Sequence, residues 1–132
     1  MRFGLLYEHQ LPRPWTGDTE HRLFKDALAQ VELADGLGID YIWEVEHHFL
    51  EEYAHSSAPE VFLAACAART KRIRIGHGVV LAPPGYNHPA RVAERIATLD
   101  LIERILEQFL FRARYPGTRE LMFVESAEFH VV

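Results

Sequence analysis

The sequence predicts an α/β fold built around a parallel sheet. Three observations predict it. Short apolar runs rich in β-formers alternate with longer stretches whose apolar residues recur every three or four positions. Glycine and proline mark most of the junctions between them. Each strand candidate is rich in apolar residues, as expected when both faces of a sheet are covered. The resulting order, βαβαβα, is the one that right-handed crossovers turn into a parallel sheet. It does not separate part of a closed barrel from an open sheet.

The first strand runs from Arg2 to Tyr7, with Phe3, Leu5 and Leu6. Pro12, Pro14 and Gly17 make the next segment a loop. Asp18 or Thr19 is placed to cap a helix. That helix carries Leu23, Phe24, Ala27, Leu28, Val31, Ala34 and Leu37 on one face, and Gly36 and Gly38 close it. The second strand spans Ile39 to Val45, followed by a loop from about His47 to Ser57. Pro59 opens the second helix, an Ala-rich run to Arg69. The third strand spans Ile73 to Leu81 and ends at Pro83, Pro84 and Gly85. Asn87 or His88 caps a third helix with Val92, Ala93, Ile96, Leu99 and Ile102 on its apolar face. Helical character runs on to about Tyr115, and Leu121–Val124 and Phe129–Val132 read as two short strands, or as one strand and a frayed end.

Length and composition bound the function. With 132 residues the chain holds one domain with a single core. A net charge of -5 gives no basic surface for DNA or RNA phosphates. The one cysteine, Cys66, excludes an intrachain disulfide and sits where a small core residue suits a helix. No apolar run approaches the ~20 residues of a membrane span, and no signal peptide is visible. The expectation is a cytoplasmic protein that engages neither nucleic acid nor membrane.

The densest polar cluster is Glu44-Val45-Glu46-His47-His48-Phe49, at the carboxyl end of the second strand. Parallel α/β folds place ligands at that end. One histidine of ordinary basicity there suits a general base; the alternative is a core histidine beside one that caps a loop. Neighbouring strand residues face opposite ways, which argues against a shared metal. In Gly76-His77-Gly78-Val79, glycines inside a strand signal a bulge or close approach of a flat ligand, or else tight helix packing. His77 either faces the same site or is buried.

Four segments carry a family resemblance: Arg2-Phe3-Gly4-Leu5; Gly38-Ile39-Asp40-Tyr41-Ile42-Trp43 leading into Glu46-His47-His48-Phe49; Ile73-Arg74-Ile75-Gly76-His77-Gly78-Val79-Val80-Leu81; and Asn87-His88-Pro89-Ala90-Arg91-Val92-Ala93-Glu94. In this order they resemble the bacterial luciferase-like flavin-dependent monooxygenases. The resemblance covers about residues 1–102 and divides the chain into this N-terminal part of a barrel and a divergent tail, 103–132. It implies about three to four βα units of a (β/α)8 TIM barrel. It implies reduced FMN or the deazaflavin F420 as cofactor, with one atom of dioxygen transferred to a small-molecule substrate such as an aldehyde. It points to His47, beside Glu46, as the catalytic base. It points to Gly78 and Val79, with His77, as the cofactor wall, the Gly78–Val79 bond being cis in the family.

Relatives continue with a Gly-Gly-Arg turn and a glycine-rich strand, whereas here Leu101-Ile102 leads into Glu103-Arg104-Ile105-Leu106. The expectation is a truncated member, inactive alone. Its open sheet edges and Leu106, Phe109, Leu110 and Phe111 point to a homo-oligomer. A non-catalytic α/β binding or self-associating protein is the alternative reading. A metal-dependent hydrolase on Glu44, Glu46, His47 and His48 is a third.

Overall fold

The computed structural model describes residues 1–83 and 85–103. The expected extension of the last helix and the two late strands lie outside these residues. The described elements are β1 (Gly4–Tyr7), α1 (Thr19–Leu37), β2 (Tyr41–Glu44), α2 (Pro59–Ala67), β3 (Arg74–His77) and α3 (Pro89–Glu103). These are three βα units. The strands form one parallel sheet in the order β1-β2-β3. Leu5, Ile42 and Ile75 share a level, as do Tyr7, Glu44 and His77 one turn of the pleat later.

All three strands are shorter than the sequence predicts. Pairing begins only where Asp40 ties the amino end, its carboxylate accepting the Phe3 N–H while Phe3 C=O accepts the Asp40 N–H. It ends when β2 turns away after Glu44. The Gly78 N–H still reaches Glu44 C=O at 2.7 Å. Val79 to Leu81 then lie beyond β3, outside the ladder.

Alternation along the strands divides the sheet into two unlike faces. Leu5, Tyr7, Ile42 and Ile75 pack under the helices with Ala27, Val31 and Ala34 of α1, Phe62, Leu63 and Cys66 of α2, and Leu99 of α3. Full burial of side chains such as Leu63 and Ile42 contributes about 1.5–3 kcal/mol each. The opposite face carries Leu6, Trp43 and Gly76. There Leu6 is 59% exposed and Trp43 36% exposed. The expectation of strands buried on both sides therefore holds for one face only among the described residues.

The helices follow their patterns, with departures at the ends. Leu37, Ala93 and Ile102 are exposed. Leu37 is the last residue of α1, and Ile102 lies in the last turn of α3 beyond the reach of the sheet. Gly38 adopts φ 82° and caps α1, donating its N–H to Ala34 and Asp35 carbonyls. Asp18 occupies the N-cap position without a side-chain cap bond and pairs with Arg22 instead. His88 does cap α3, its Nδ1 accepting the Ala90 N–H at 3.2 Å.

Asp35 fixes the turn into β3. Its carboxylate accepts the N–H groups of Lys71, Arg72 and Ile73 at 3.1, 2.9 and 2.8 Å. Desolvation opposes its ionisation, but the three amides and the Arg72 charge hold its carboxyl below the ordinary range. A lowered carboxyl pKa gives stability that is present above the unfolded value and lost as pH falls through the folded one. Asp35→Ala is therefore expected to cost about 2 kcal/mol at neutral pH, and Asp35→Asn, which keeps one acceptor, less. Urea unfolding of the full chain checks both. Equal stability of wild type and Asp35→Ala would show that the turn holds without the carboxylate.

Candidate functional site

The sheet ends in a level of three polar side chains, Tyr7, Glu44 and His77. Beyond it the chain leaves as three loops, 8–18, 45–58 and 78–88. Backbone and side-chain bonds lock the first two together. Leu11 N–H donates to Glu52 C=O at 2.9 Å and His55 N–H to His9 C=O at 3.1 Å. The Arg13 guanidinium pairs with Glu51 at 2.8 Å and Glu52 at 3.0 Å. Phe49 and Glu51 take positive φ, which lets the second loop double back.

On the helix side lies a buried polar layer. His9, itself at φ 53°, folds its ring inward against Tyr7, Phe24 and Phe62. Its Nε2 stands 3.0 Å from Glu44 Oε1, both side chains 1% exposed. The separation is that of an ion pair, while the angle is poor for a hydrogen bond. Burial pushes the Glu44 carboxyl up, and His9 works against that rise. Burial likewise pushes His77 down to about 4, so its ring is neutral at pH 7. Glu60 and Arg95, themselves paired at 3.2 Å, are the charges His77 feels. His77 shares the face of Ile75 and Glu44, the helix side, and so stands apart from the exposed wall of Gly78 and Val79.

Glu46 is also buried, but it turns toward the third loop. Its Oε2 accepts the Leu81 N–H at 2.8 Å, and its Oε1 meets His48 Nε2 at 2.9 Å. The same Nε2 lies 2.8 Å from the Tyr86 hydroxyl. His47 is half-buried, with its N–H on Ser56 C=O and its ring edge-on to Tyr53 at 5.8 Å. The structure thus brings Glu46 and His48 together, sets His47 beside them in sequence on the Tyr53 side, and leaves Gly78 and Val79 exposed. The Gly78–Val79 bond is not cis; Arg13–Pro14 is the cis peptide among the described residues. A trans bond is what a non-proline residue adopts unless its surroundings enforce the costlier form.

Gly78 keeps the wall flat. A Cβ there would come within 2.9 Å of Leu6 Cδ1 and 3.4 Å of Val45 Cγ1. The cations described near this end are already committed, Arg13 to Glu51 and Glu52, Arg91 to Glu94, Arg95 to Glu60.

Sequence reasoning missed two participants. His9 was visible only as one polar residue after the first strand, and nothing local shows that a left-handed backbone folds it onto Glu44. Tyr86 sits in a Gly-Tyr-Asn turn with no motif, and only the folded loop carries it to His48.

The pattern of the family described as luciferase-like monooxygenase matches residues 1–104. Limonene 1,2-monooxygenase of Rhodococcus erythropolis is 42% identical over 96 residues, 69% of this chain and 23% of that protein. The oxygenase component of flavin-dependent trigonelline monooxygenase from Acinetobacter baylyi is 34% identical over 104 residues, 77% of this chain and 27% of that protein. The chain spans about a quarter of the length of these relatives. Among solved structures, monooxygenase RslO1 from Streptomyces bottropensis superposes with a TM-score of 0.70 at 33% identity, covering 89% of this chain and 34% of that one. The oxygenating constituent of 3,6-diketocamphane monooxygenase from Pseudomonas putida, solved with FMN, superposes at 0.67 and 22% identity, covering 89% and 30%. The three βα units match part of a luciferase-like TIM barrel.

The buried His77 makes a measurable prediction. Its folded pKa lies below the unfolded value, so its contribution is whole above about 6.5 and is lost as pH falls toward about 4. Between about pH 7 and about pH 5 that loss amounts to about 2 kcal/mol. The raised Glu44 carboxyl acts in the opposite sense, so the comparison must be between variants. In His77→Asn, urea unfolding is expected to show a fall about 2 kcal/mol smaller over the same interval. Parallel pH profiles for the two proteins would mean that the fold does not lower the His77 pKa.

Proposed function

The chain belongs to the luciferase-like monooxygenase family, and on that premise we propose that it supplies one wall of a flavin site in a monooxygenase. The observation that carries this reading is the exposed, apolar stretch of Gly78 and Val79 at the carboxyl end of the sheet, the end from which the loop bearing His47 also leaves. Gly78 and Val79 would lie against the ring, with Leu6 and Trp43 lining the floor. His77, held in the layer beneath the helices, would back this wall without touching the ring. Reduced flavin, FMN in this reading with F420 as the second choice, supplies the electrons that activate dioxygen for transfer of one oxygen atom to a substrate such as an aldehyde. His47 would take up or return a proton there, and the locked loops would hold it in place and limit water.

The phosphate end of the cofactor has no partner among the described residues. Charge-assisted bonds to a phosphate contribute ~1.5–3 kcal/mol each, so their lack costs several orders of magnitude in affinity. The full chain alone is therefore expected to bind FMN and riboflavin about equally and weakly, with Kd above about 100 μM. Gly78→Val should abolish that binding, because its side chain fills the space beside Leu6, whose flexible end can yield without unfolding the sheet. Fluorescence titration checks this. Oxygen uptake with reduced FMN and an aldehyde should show no turnover by the chain alone. Micromolar FMN binding that favours FMN over riboflavin would defeat this account.

The bare face of Leu6 and Trp43 and the outer edges of β1 and β3, which pair with no strand among the described residues, support self-association as a further part of the reading. Sedimentation velocity is expected to show a dimer or larger species at micromolar concentration. A monomer at all concentrations would contradict it.

A further inference from the structure

The Glu46, His48 and Tyr86 side chains meet at the rim, and neither the fold nor the flavin wall requires that meeting. His48 Nε2 lies 2.9 Å from Glu46 Oε1 and 2.8 Å from the Tyr86 hydroxyl. One ring nitrogen holds at most one proton. When protonated it donates to Glu46; when bare it accepts from the phenol. The proton can therefore change owner over 2.8 Å with little side-chain rearrangement. Exposure rises along the chain, from 9% for the Glu46 side chain through 23% for His48 to 59% for Tyr86. Glu46 is anchored by the Leu81 N–H, and the Tyr86 turn is anchored by N–H bonds from Tyr86 and Asn87 to Pro83 C=O at 2.9 Å. The Asn87 side chain adds a bond to Leu81 C=O and accepts one from Arg95.

We propose that Glu46, His48 and Tyr86 form an acid–base unit at the rim, in which the Tyr86 phenol gives a proton to an oxygen of a carbonyl- or hydroxyl-bearing ligand and His48 replaces it. On a neutral oxygen the phenol keeps its proton and donates a hydrogen bond. It hands the proton over only to an oxygen that has gained negative charge, after which the phenolate takes the Nε2 proton and the imidazole returns to neutral, so that protons balance. Glu46 holds the imidazolium charge before transfer. It touches no ligand and is a positioning residue. This proposal uses the reading above only in placing the ligand at the same rim. Partial desolvation, then the charges of Glu46 and Glu60, raise the phenol above its ordinary value, with Arg95 of α3 pulling the other way. The phenol is thus protonated at neutral pH, the state a donor needs. Among the described residues, Glu60 and Arg95 are the further charged groups that act on the phenol. Glu60 is paired with Arg95, and Glu46 with the His48 imidazolium, so among the described residues the unit offers no spare cation for an anionic ligand and suits a neutral oxygen. Leu81, which meets Glu46 through its backbone, and Val79 offer apolar surface for the rest of the ligand.

The test uses the full, 15N-labelled chain without flavin, so that its outcome is independent of cofactor binding. Three results are expected. In Tyr86→Phe, the His48 Nε2 resonance at mildly alkaline pH moves toward that of an unbonded imidazole nitrogen. In Glu46→Gln, the phenolate absorbance of Tyr86, identified by difference from Tyr86→Phe, appears about half a pH unit lower, a threefold change in ionisation constant. Acetophenone, the neutral carbonyl probe, binds wild type at least about fivefold more tightly than Tyr86→Phe. His48→Gln provides a second route to the phenol should Glu46→Gln fail to fold, and it too must shift the Tyr86 ionisation. An Nε2 resonance blind to Tyr86, a phenol blind to both partners, or acetophenone binding indifferent to the phenol would each overturn the proposal.

Discussion

A carboxylate on the last rung of the middle strand governs the layout of this molecule. Glu44 is buried on the helix side, where an ionised group without a partner costs several kcal/mol. Its position in the register rules out solvent. A partner must therefore come from a neighbouring loop, and His9 provides it by entering the left-handed region and folding back beneath α1 and α2. The Glu44 carbonyl accepts the Gly78 N–H, the last bond between the two strands before β2 turns away. One residue thus draws the first loop inward and makes the last bond to the third strand's exit.

The second consequence is a division of labour across the sheet. Parallel strands joined by crossover helices bury one face whatever else the chain does. Here that face takes Tyr7, Glu44 and His77 together with the aliphatic core. The other face is left with Leu6, Trp43 and glycines. The indole of Trp43 stacks on Tyr41 at 5.1 Å and lies over Gly4, where a Cβ would collide with it, and over Gly76, where a Cβ would make a tight 3.0 Å contact. Glycine at those positions is thus explained by a neighbouring ring, while glycine at 78 keeps the wall flat next to Leu6.

Two glutamates two residues apart in sequence serve opposite sides of this arrangement. Glu44 belongs to the regular strand and faces the helices. Glu46 lies beyond the strand, where period-two alternation no longer applies, and it reaches sideways to Leu81, His48 and Tyr86. The strand's end separates a stabilising carboxylate from one that organises the rim.

Much of this was legible in the sequence. The βαβαβα order follows from periodicity and from Gly and Pro punctuation, because these report local backbone preference. Gly38 as a cap, Pro59 at a helix start and His88 as an N-cap are likewise local chemistry. Strand ends were not legible: Ile73 to Leu81 reads as one apolar run, yet pairing stops at His77 because the partner strand turns away, and no residue in the run records that. The site divided in the same manner. The Glu46-His47-His48 cluster and the Gly78-Val79 wall stand out by composition and position, while the orientation of His77, the inward turn of His9 and the meeting of Tyr86 with His48 do not. These depend on side chains 35 or more residues apart in the His9–Glu44 and His48–Tyr86 pairs. Sequence by itself determined which segments are strands and helices and which residue types gather at their ends, since those are short-range preferences. The tertiary structure alone decided which face each polar side chain serves, since burial and partnership are properties of the packed chain.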